Sequence, residues 1–217
     1  WRIVAAGDDL GAVCAAHGLG WPVVVKSPCL GSSFGLFIVK DARTLEEKIG
    51  ELMAIDDRVL LEQFIPGREF TCAVVQRGPA AKPEPLPVTE IVPVASEYFD
   101  YVAKYTAGAS REITPADISA ELAGAIQRAA VRCHQALRCG GATRTDFRVN
   151  GSNELFVLET NTIPGMTETS LLPQAAAAAG ITFSQLLDLL VDDALARAAD
   201  QRIRRQHVAE RALGSHT

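Results

Sequence analysis

The segment ATRTDFRVNGSNELFVLETN, residues 142–161, constrains the fold of this chain more than any other. Two runs with many apolar side chains, 142–149 and 154–160, flank the dipeptide Asn150-Gly151. Asn-Gly between two such runs is a strong signal for a tight turn that joins antiparallel strands. We therefore predict a β-hairpin over these residues.

Four charged or polar side chains of this hairpin are expected on one face. Residues two apart in a strand share a face, so Arg144 lies beside Asp146, and Glu159 lies beside Asn161. A four-residue loop at 150–153 sets residue 144 opposite residue 159, with residue 146 diagonally across the pair. Two carboxylates and an amide oxygen are hard ligands that suit Mg²⁺ shared with substrate phosphates. The alternative is a surface salt bridge between Arg144 and Glu159.

Composition indicates a soluble globular chain of one or two domains, since 48% of its 217 residues are hydrophobic and 22% are charged. The net charge of −5 argues against non-specific nucleic-acid binding. No apolar run approaches the ~20 residues of a membrane span. The five cysteines form no CxxC pair, which favours reduced thiols in a cytoplasmic protein. The four histidines are scattered, so no His/Cys metal site is expected.

Hydrophobic periodicity predicts most other elements. Helices are predicted at 8–18, 42–54, 171–179 and 183–212. Strands are predicted at 21–26, 36–40, 58–65, 69–76 and 88–94. Pro66-Gly67 suits a turn between the third and fourth of these strands, and RIRRQHVAER at the end of the last helix is typical of a solvated helix end. Hairpins beside helices favour an α+β or mixed α/β architecture.

The segment 96–113 is polar and aromatic without clean periodicity, which is typical of a functional lid or a disordered loop. The next residues predict a helix with Thr114 as N-cap, Pro115 at the first helical position and Asp117 at the third. This helix is expected to stop at Gly140-Gly141. Its expected apolar face comprises Ile118, Leu122, Ile126, Ala129, Cys133 and Leu137.

The stretch KSPCLGSSFG, residues 26–35, forms a glycine-containing loop between two predicted strands. Gly31 and Gly35 permit tight backbone geometry, and the N–H groups of residues 31–33 can form an anion-binding nest. Lys26 at the strand end can meet a phosphate. The glycine spacing differs from a Walker A loop, and a flexible hairpin turn is the alternative. Cys29 is interpreted as a filler residue, not a nucleophile.

Five motifs in this order resemble the ATP-grasp ligases, and most closely the D-alanine–D-alanine ligases. They are VVVKSPCLGSSFG, LLEQFIPGREFT, YFDYVAKY, TRTDF and LETNTIPGMTETSLLP. Together they cover most of residues 22–173 with the spacing of that family. The resemblance implies an ATP-grasp fold, in which two α+β subdomains hold the nucleotide between two antiparallel sheets.

The resemblance also implies the nucleotide contacts. The ATP-binding residues are Lys26, Ser33, Glu62, Ile65, Glu69 and Tyr98. In this assignment Lys26 contacts phosphate, Glu62 bonds to the adenine amino group, and Glu69 holds the ribose hydroxyls. From the residues alone, Glu62 and Glu69 border the Pro66-Gly67 turn, and a solvated pair of turn carboxylates is the alternative.

The metal and reaction centre follow from the same resemblance. Asp146, Glu159 and Asn161 match the ligands of Mg²⁺ (or Mn²⁺). Arg144 and the backbone N–H of Gly165 match the groups that stabilise the tetrahedral intermediate.

The remaining resemblances concern the second substrate and the lid. Ser170 and Leu171 match the site for the carboxylate of the second D-alanine. In the lid at 96–113, Lys104 would reach the transferred phosphoryl group, and Tyr105 would link to Ser32 on the glycine loop. A tyrosine at 105 resembles ligases whose second substrate is D-alanine. Closure of such a lid excludes water that would hydrolyse an acyl phosphate.

The reaction implied is ATP-dependent formation of D-alanyl-D-alanine, through an acyl phosphate, for peptidoglycan precursor synthesis. The alternatives are another ATP-grasp carboxylate–amine ligase and a non-catalytic nucleotide-binding module. The predicted division is 1–65 as part of the central subdomain, 66–200 as the catalytic subdomain, and 201–217 as a helical tail. An N-terminal domain that binds the first D-alanine is expected outside this sequence, so the chain alone is expected to ligate D-alanine poorly. A homodimer is the assembly implied by the family.

Overall fold

The computed structural model describes residues 1–16, 18–30, 34–93 and 110–214. The chain divides into two compact units. The first comprises Trp1–Pro66 and Val92–Arg111, and the second comprises Gly67–Ile91 and Glu112–Thr217. The three-part division at residues 65 and 200 stays a prediction.

The first unit is built on a four-stranded antiparallel sheet with the strand order β1-β4-β2-β3. The strands are β1 (Arg2–Ala5), β2 (Val23–Lys26), β3 (Leu36–Val39) and β4 (Arg58–Gln63), and the helices are α1 (Leu10–Ala16) and α2 (Ala42–Met53). Alternate residues of β2, Val23 and Val25, are buried in one core with Leu45, Ile49 and Leu52 of α2. Alternate residues of a strand lie on one face, and residues three or four apart in a helix also lie on one face, so these side chains meet in a single core.

The second sheet has six strands, in the order β10-β9-β5-β7-β8 with β6 paired to β5. The strands are β5 (Arg68–Val75), β6 (Glu84–Pro85), β7 (Thr89–Pro93), β8 (Ser110–Ile113), β9 (Ala142–Val149) and β10 (Leu155–Asn161). The helices are α3 (Ala120–Ala136), α4 (Leu171–Ala178) and α5 (Phe183–Gly214).

Both faces of β5 are covered along its second half. Phe70, Cys72 and Val74 lie on one face, in a core cluster with residues of α3. Ala73 and Val75 lie on the other face, in a cluster with residues of α4 and α5. The first half of this second face is polar, and it is the part of the sheet that carries the candidate site.

The predicted mixed α/β architecture with antiparallel sheets is confirmed. The hairpin at residues 142–160 corresponds to β9 and β10, and the helices predicted at 42–54, 171–179 and 183–212 correspond to α2, α4 and α5. These elements have strong periodicity or strong boundary residues, which is why local patterns locate them.

The start of α3 was predicted wrongly. Ser119, not Thr114, is the N-cap, and its hydroxyl accepts a hydrogen bond from the N–H of Leu122 at 3.3 Å. The hydroxyl of Thr114 instead forms a hydrogen bond with that of Thr89 at 2.6 Å. A tertiary partner therefore occupies the side chain that the local pattern assigned to the cap.

The buried face of α3 also differs from the prediction. Ile126, Ala130 and His134 are its buried residues, whereas Leu137 is 56% exposed and Cys133 is half-buried. A histidine is buried here because two polar partners satisfy its imidazole nitrogens.

Four strand features were missed or misassigned. β1 and β6 were not predicted, and β8 lies within the segment predicted as a loop at 96–113, of which residues 96–109 lie outside the described residues. β4 and β5 are joined at Pro66-Gly67 as expected, but they belong to different sheets, so this connection is not a hairpin turn. Strand pairing of this kind depends on distant partners that local periodicity does not show.

Among the described helices, none is by itself long and apolar enough to cross a bilayer. The segments Leu171–Ala178 and Phe183–Ile203 reach that length and composition only when taken together, and they are bent by 108° relative to each other.

Candidate functional site

The β9–β10 hairpin brings four of the predicted site residues to one face of the second sheet. Asp146 is paired with Glu159, and Arg144 is paired with Asn161. Directly opposed residues of antiparallel strands point to the same side, and so do residues two apart. The predicted convergence of the three oxygen ligands on one face therefore agrees with the strand register.

The detailed register differs from the prediction by two residues. Residue 144 was expected opposite residue 159, but it lies opposite Asn161. The turn is longer than expected, since Val149 pairs with Leu155, and the register shifts again between Val157 and Glu159. A bulge of this kind adds one unpaired residue to one strand, and local sequence patterns do not reveal it.

Asp146 is the most completely bound residue of the group. It is 5% exposed. The Arg144 guanidinium donates from Nε to Oδ1 and from Nη2 to Oδ2, both at 3.0 Å. The hydroxyl of Thr71 on β5 donates to Oδ1 at 2.6 Å. Three charge-assisted hydrogen bonds hold this carboxylate in a single orientation.

Arg144 is held in place by the carboxylates around it. Burial lowers the pKa of its guanidinium, but the charge and hydrogen bonds of Asp146 outweigh that effect, together with the charges of Glu159 and Glu112. The pKa is therefore raised above its usual range. The alternative of a surface salt bridge from Arg144 to Glu159 is wrong in its partner and its setting, because the short contact is to Asp146 and both side chains are largely buried.

The donor set can accept a hard divalent cation. Oδ1 of Asp146 already accepts two hydrogen bonds and Oδ2 accepts one, so Oδ2 keeps a lone pair. Glu159 on the same face is exposed. In the part of the chain that the structure describes, no cluster of three or more His, Cys, Asp or Glu side chains has the geometry of a metal site. Two carboxylates and an amide fit a cation that takes its other ligands from phosphates and water.

Asn161 closes β10 with a local turn. Its Oδ1 accepts a hydrogen bond from the N–H of Ile163 at 3.0 Å. This Asx turn sets the orientation of the amide at the point where the strand ends. The side chain is thereby presented on the face that also carries Glu159.

The loop after β10 folds back on the start of α4. The hydroxyl of Ser170 accepts from the N–H of Thr167 at 3.1 Å and lies 2.8 Å from the hydroxyl of Thr167. A Cβ at Gly165 would lie 2.9 Å from Ser170 Oγ, so this position needs glycine unless the serine moves. Leu171 is the first residue of α4. The structure therefore places Gly165, Ser170 and Leu171 in one loop-to-helix segment, while their substrate roles stay predictions.

Glu69 lies further along the polar face of the sheet. It is paired across the strands with Arg148, and its Oε2 accepts from Arg148 Nη1 at 3.1 Å. Both side chains are largely buried, at 12% and 13% exposure. A solvated turn carboxylate, the alternative for Glu69, does not match this burial.

The first unit carries the other predicted nucleotide contacts. Lys26 at the end of β2 forms a 2.8 Å ion pair with Glu62 of β4. Their side chains are 17% and 23% exposed, so this carboxylate is also not a solvated turn residue. Ile65 is half-buried just after β4.

The base of the glycine loop is fixed by a pair that was not predicted. The hydroxyl of Ser27 donates to Asp56 Oδ2 at 2.5 Å and accepts from the N–H groups of Cys29 and Leu30 at 3.0 and 3.2 Å. The Ser27 hydrogen bond lowers the pKa of Asp56 to about 2. Gly35, at φ +68°, closes the loop where a Cβ would lie 2.9 Å from a leucine side chain of α2.

Five predicted site residues lie outside the described residues. They are Ser32, Ser33, Tyr98, Lys104 and Tyr105.

Sequence reasoning missed Thr71 and Arg148, although a signal for each was present. Thr71 lies two residues after Glu69, and Arg148 lies two residues after Asp146, so the period of a strand places both on the site face. Asp56 had no such signal, because Asp56-Asp57-Arg58 resembles an ordinary charged turn.

Comparison with known proteins places these residues in a family. The sequence model of the family described as "D-ala D-ala ligase C-terminus" matches residues 8–192. The D-alanine–D-alanine ligase of Desulfotalea psychrophila is 45% identical over 207 residues, covering 93% of this chain and 62% of the relative. The ligase of Syntrophobacter fumaroxidans is 50% identical over 181 residues, covering 83% of this chain and 57% of the relative. The chain thus spans less than two thirds of these curated relatives.

Solved structures agree with the sequence relatives. The D-alanine–D-alanine ligase of Coxiella burnetii superposes with a TM-score of 0.82 at 30% identity, over 97% of this chain and 56% of that one. The ligase of Bacillus anthracis complexed with ATP superposes with a TM-score of 0.73 at 32% identity, over 95% of this chain and 62% of that one. The chain has the ATP-grasp fold of these enzymes, and it belongs to the D-alanine–D-alanine ligase C-terminal family.

Proposed function

We propose that this chain is the nucleotide-binding and catalytic part of an enzyme that joins two D-alanines to D-alanyl-D-alanine with ATP. The observation that carries the proposal is the convergence of Arg144, Asp146, Glu159 and Asn161 on one face of the second sheet. In this proposal the reaction supplies peptidoglycan precursors in the cytoplasm. Because the chain spans only part of its relatives, the first D-alanine is proposed to be bound by a domain outside this sequence.

Four described residues are proposed to contact the nucleotide. Lys26 supplies positive charge to the phosphates, and its ion pair with Glu62 keeps the two side chains in position before ATP arrives. Glu62 is assigned to the adenine amino group, Ile65 to the base, and Glu69 to the ribose hydroxyls. The Arg148 ion pair supports this role of Glu69 because it holds the carboxylate at a defined point of the sheet. Ser33 and Tyr98 complete the proposed ATP site.

The metal is proposed to be Mg²⁺ or Mn²⁺, held by Asp146, Glu159 and Asn161. When bound, such a cation offsets the charge of the ATP phosphates and of the transferred phosphoryl group. Thr71 and Arg144 orient Asp146, so the protein fixes one ligand in advance.

Arg144 and Gly165 are proposed to stabilise charge on the reacting carboxyl carbon. A buried guanidinium is more effective than an exposed one, because water does not screen it. The close approach of Gly165 to Ser170 leaves its backbone N–H next to the segment assigned to the second D-alanine. Ser170 and Leu171 are proposed to bind the carboxylate of that substrate, and its amine attacks the acyl phosphate.

The lid residues complete the proposal. Lys104 is assigned to the transferred phosphoryl group, and Tyr105 is assigned to a link with Ser32. A closed lid keeps water from the acyl phosphate.

The first test measures nucleotide affinity by isothermal titration calorimetry of the chain with ATP and Mg²⁺. Asp146→Asn and Glu159→Gln are each expected to weaken metal-dependent ATP binding by about tenfold or more. Asp192→Asn, an exposed carboxylate on α5, is the matched control and is expected to bind like the parent. Equal affinity in all four proteins would refute the metal assignment.

The second test measures dipeptide formation and phosphate release, with the N-terminal domain of a relative fused to the chain. D-Alanine is expected to release phosphate and form D-alanyl-D-alanine. Phosphate release with another amine or hydroxy acid but not with D-alanine would favour a different ATP-grasp ligase. ATP binding without phosphate release from any acceptor would favour a non-catalytic module.

A further inference from the structure

The strand register arranges the site face of the second sheet in three rows across β5, β9 and β10. Each row contains one directly opposed residue from each strand: Ala73, Arg144 and Asn161 in the first, Thr71, Asp146 and Glu159 in the second, and Glu69, Arg148 and Phe156 in the third. Neighbouring rows are two residues apart along β9, which is about 7 Å. The first two rows contain Arg144 and the proposed metal ligands, and the third row lies one strand step beyond them.

The third row carries a largely buried ion pair. Arg148 Nη1 donates to Glu69 Oε2 at 3.1 Å. On its other side Arg148 is paired with Phe156, which is half-buried. A carboxylate that is withdrawn from water needs an opposite charge or hydrogen-bond donors, because its transfer from water is costly. The Arg148 guanidinium therefore both compensates the charge of Glu69 and restricts its orientation.

The row spacing agrees with a sugar as the group that meets this pair. The second row is the one proposed to hold the metal and the terminal phosphates. A step of about 7 Å along β9 is comparable with the length of the remaining phosphates of an extended triphosphate, so the next row meets the ribose. Sugar hydroxyls donate hydrogen bonds, and a carboxylate that is ionised accepts them through either oxygen.

We propose that Arg148 is a positioning residue that makes the site selective for ribonucleotides, because it fixes Glu69 as the acceptor for the ribose hydroxyls. The inference rests on the proposed assignment of Glu69 to the ribose. A site built to bind a hydroxyl rejects an analogue that lacks it, since the buried partner is then left unpaired. A mobile, hydrated carboxylate would reject the analogue less, because water would replace the missing hydroxyl.

The opposite face of the same sheet supplies a matched control. Arg68 Nε lies 2.7 Å from Glu90 Oε1, so a second arginine–glutamate pair joins β5 to β7. Arg68 shares its face with Phe70, which lies in the core cluster with α3 and not on the site face. Arg68→Met therefore breaks an ion pair of the same kind in the same sheet without changing the third row.

The test is isothermal titration calorimetry of the chain with Mg²⁺ and ATP, 2′-deoxy-ATP or 3′-deoxy-ATP. The parent is expected to bind ATP at least about tenfold more tightly than one or both deoxy analogues, which is the effect of one hydrogen bond to a charged group. Arg148→Met is expected to reduce this ratio to less than about threefold, mainly by weakening ATP. Arg148→Lys keeps the charge but not the planar fork, and it is expected to give an intermediate ratio. Arg68→Met is expected to keep the ratio of the parent.

A double-mutant cycle separates positioning from a general disturbance of the sheet. Glu69→Gln is expected to lose the discrimination between ATP and its deoxy analogues. Adding Arg148→Met to Glu69→Gln is expected to change the remaining ratio by less than about twofold, because Arg148 acts through Glu69. Thermal unfolding shows which variants keep their fold, and Arg148→Lys carries the test where Arg148→Met does not fold.

Three results overturn the inference. They are a folded Arg148 variant that keeps the ratio of the parent, an equal loss of affinity for ATP and both analogues, and a comparable change of the ratio in Arg68→Met. A parent that binds ATP and both analogues within about threefold of each other also overturns it, but leaves the proposed nucleotide site intact. A parent that binds none of the three nucleotides overturns the proposed function together with this inference.

Discussion

Replacing His134 by leucine is expected to lower the free energy of unfolding of the second unit by about 2 kcal/mol at pH 7.5. His134 is 1% exposed and lies between two polar partners. Its Nε2 is 3.2 Å from Gln76 Oε1, and its Nδ1 is 2.9 Å from the hydroxyl of Thr143. Since Gln76 Oε1 is an acceptor, Nε2 carries the proton and Nδ1 accepts from Thr143. The leucine variant leaves the fully buried Thr143 hydroxyl without this partner, and an unsatisfied buried group costs about 1–3 kcal/mol.

The cost of the substitution is expected to shrink as the pH falls. Burial lowers the pKa of His134, and the positive charge of Arg197 lowers it further, against a smaller opposite effect of Asp193. The unfolded state, with a histidine pKa of about 6.5, therefore binds the proton more readily than the folded state. The stability that neutral His134 contributes is present above pH 6.5, and it is lost as the pH falls toward the lower folded-state pKa. The slope cannot exceed about 1.4 kcal/mol per pH unit, which is the value for one proton.

The assay is urea unfolding at pH 7.5, 6.5 and 5.5, followed by far-UV circular dichroism, with hydrogen exchange of the β9 and α3 amides. Both tryptophans, Trp1 and Trp21, lie in the first unit, so their fluorescence is an internal control. The parent is expected to lose second-unit stability below pH 6.5, and the leucine variant is expected to lose less. A difference between the two proteins that stays constant over this pH range would refute the assignment of a neutral, buried histidine.

Three further predictions concern the site and its supports. Thr71→Val is expected to weaken Mg²⁺-dependent ATP binding by about tenfold in calorimetry with little change in fold, because it removes a buried hydrogen bond to a proposed metal ligand; unchanged affinity would contradict the supporting role of Thr71. Ser27→Ala and Asp56→Ala are expected to weaken ATP binding several-fold by releasing the base of the glycine loop, whereas Asp56→Asn keeps an acceptor and is expected to bind nearly as the parent; equal losses in the two Asp56 variants would contradict this account. Gly67→Ala is expected to destabilise the fold by about 3 kcal/mol or more in thermal unfolding, since its φ is +136° and a Cβ would lie 2.1 Å from a main-chain oxygen of β9. Gly78→Ala, at φ +104° with open space around it, is the control, and an equal loss there would show that the contact does not matter.

Local sequence patterns predicted the elements that carry the site, because each has a clear period or boundary. The two strands around Asn150-Gly151 were located from the turn dipeptide and their apolar residues, and the sharing of one face by Arg144 and Asp146 follows from the period of a strand alone. The partner of each residue did not follow, because a bulge between Val157 and Glu159 changes the register without changing the pattern.

Contacts between distant residues account for most of what the sequence did not predict. Ser27 and Asp56 are 29 positions apart, and neither stands out from an ordinary loop or turn. Thr114 fits a helix cap locally, but its hydroxyl has a partner 25 positions earlier. In both cases a short polar side chain forms a tertiary hydrogen bond that the local pattern does not show, and only the packed structure determines its partner.

The two carboxylates of the proposed metal site differ in burial. This difference determines how much each side chain must be ordered when a cation binds. Asp146 is 5% exposed and is held by three hydrogen bonds, so the protein determines its position before any ligand arrives. Glu159 lies opposite it but is exposed, so its carboxylate keeps the rotational freedom of a solvated side chain. Binding of a cation must therefore order Glu159, while Asp146 needs little rearrangement. The conformational entropy that Glu159 loses lowers the affinity for the cation. Asp146 adds little to this loss, because it is already oriented before the cation binds.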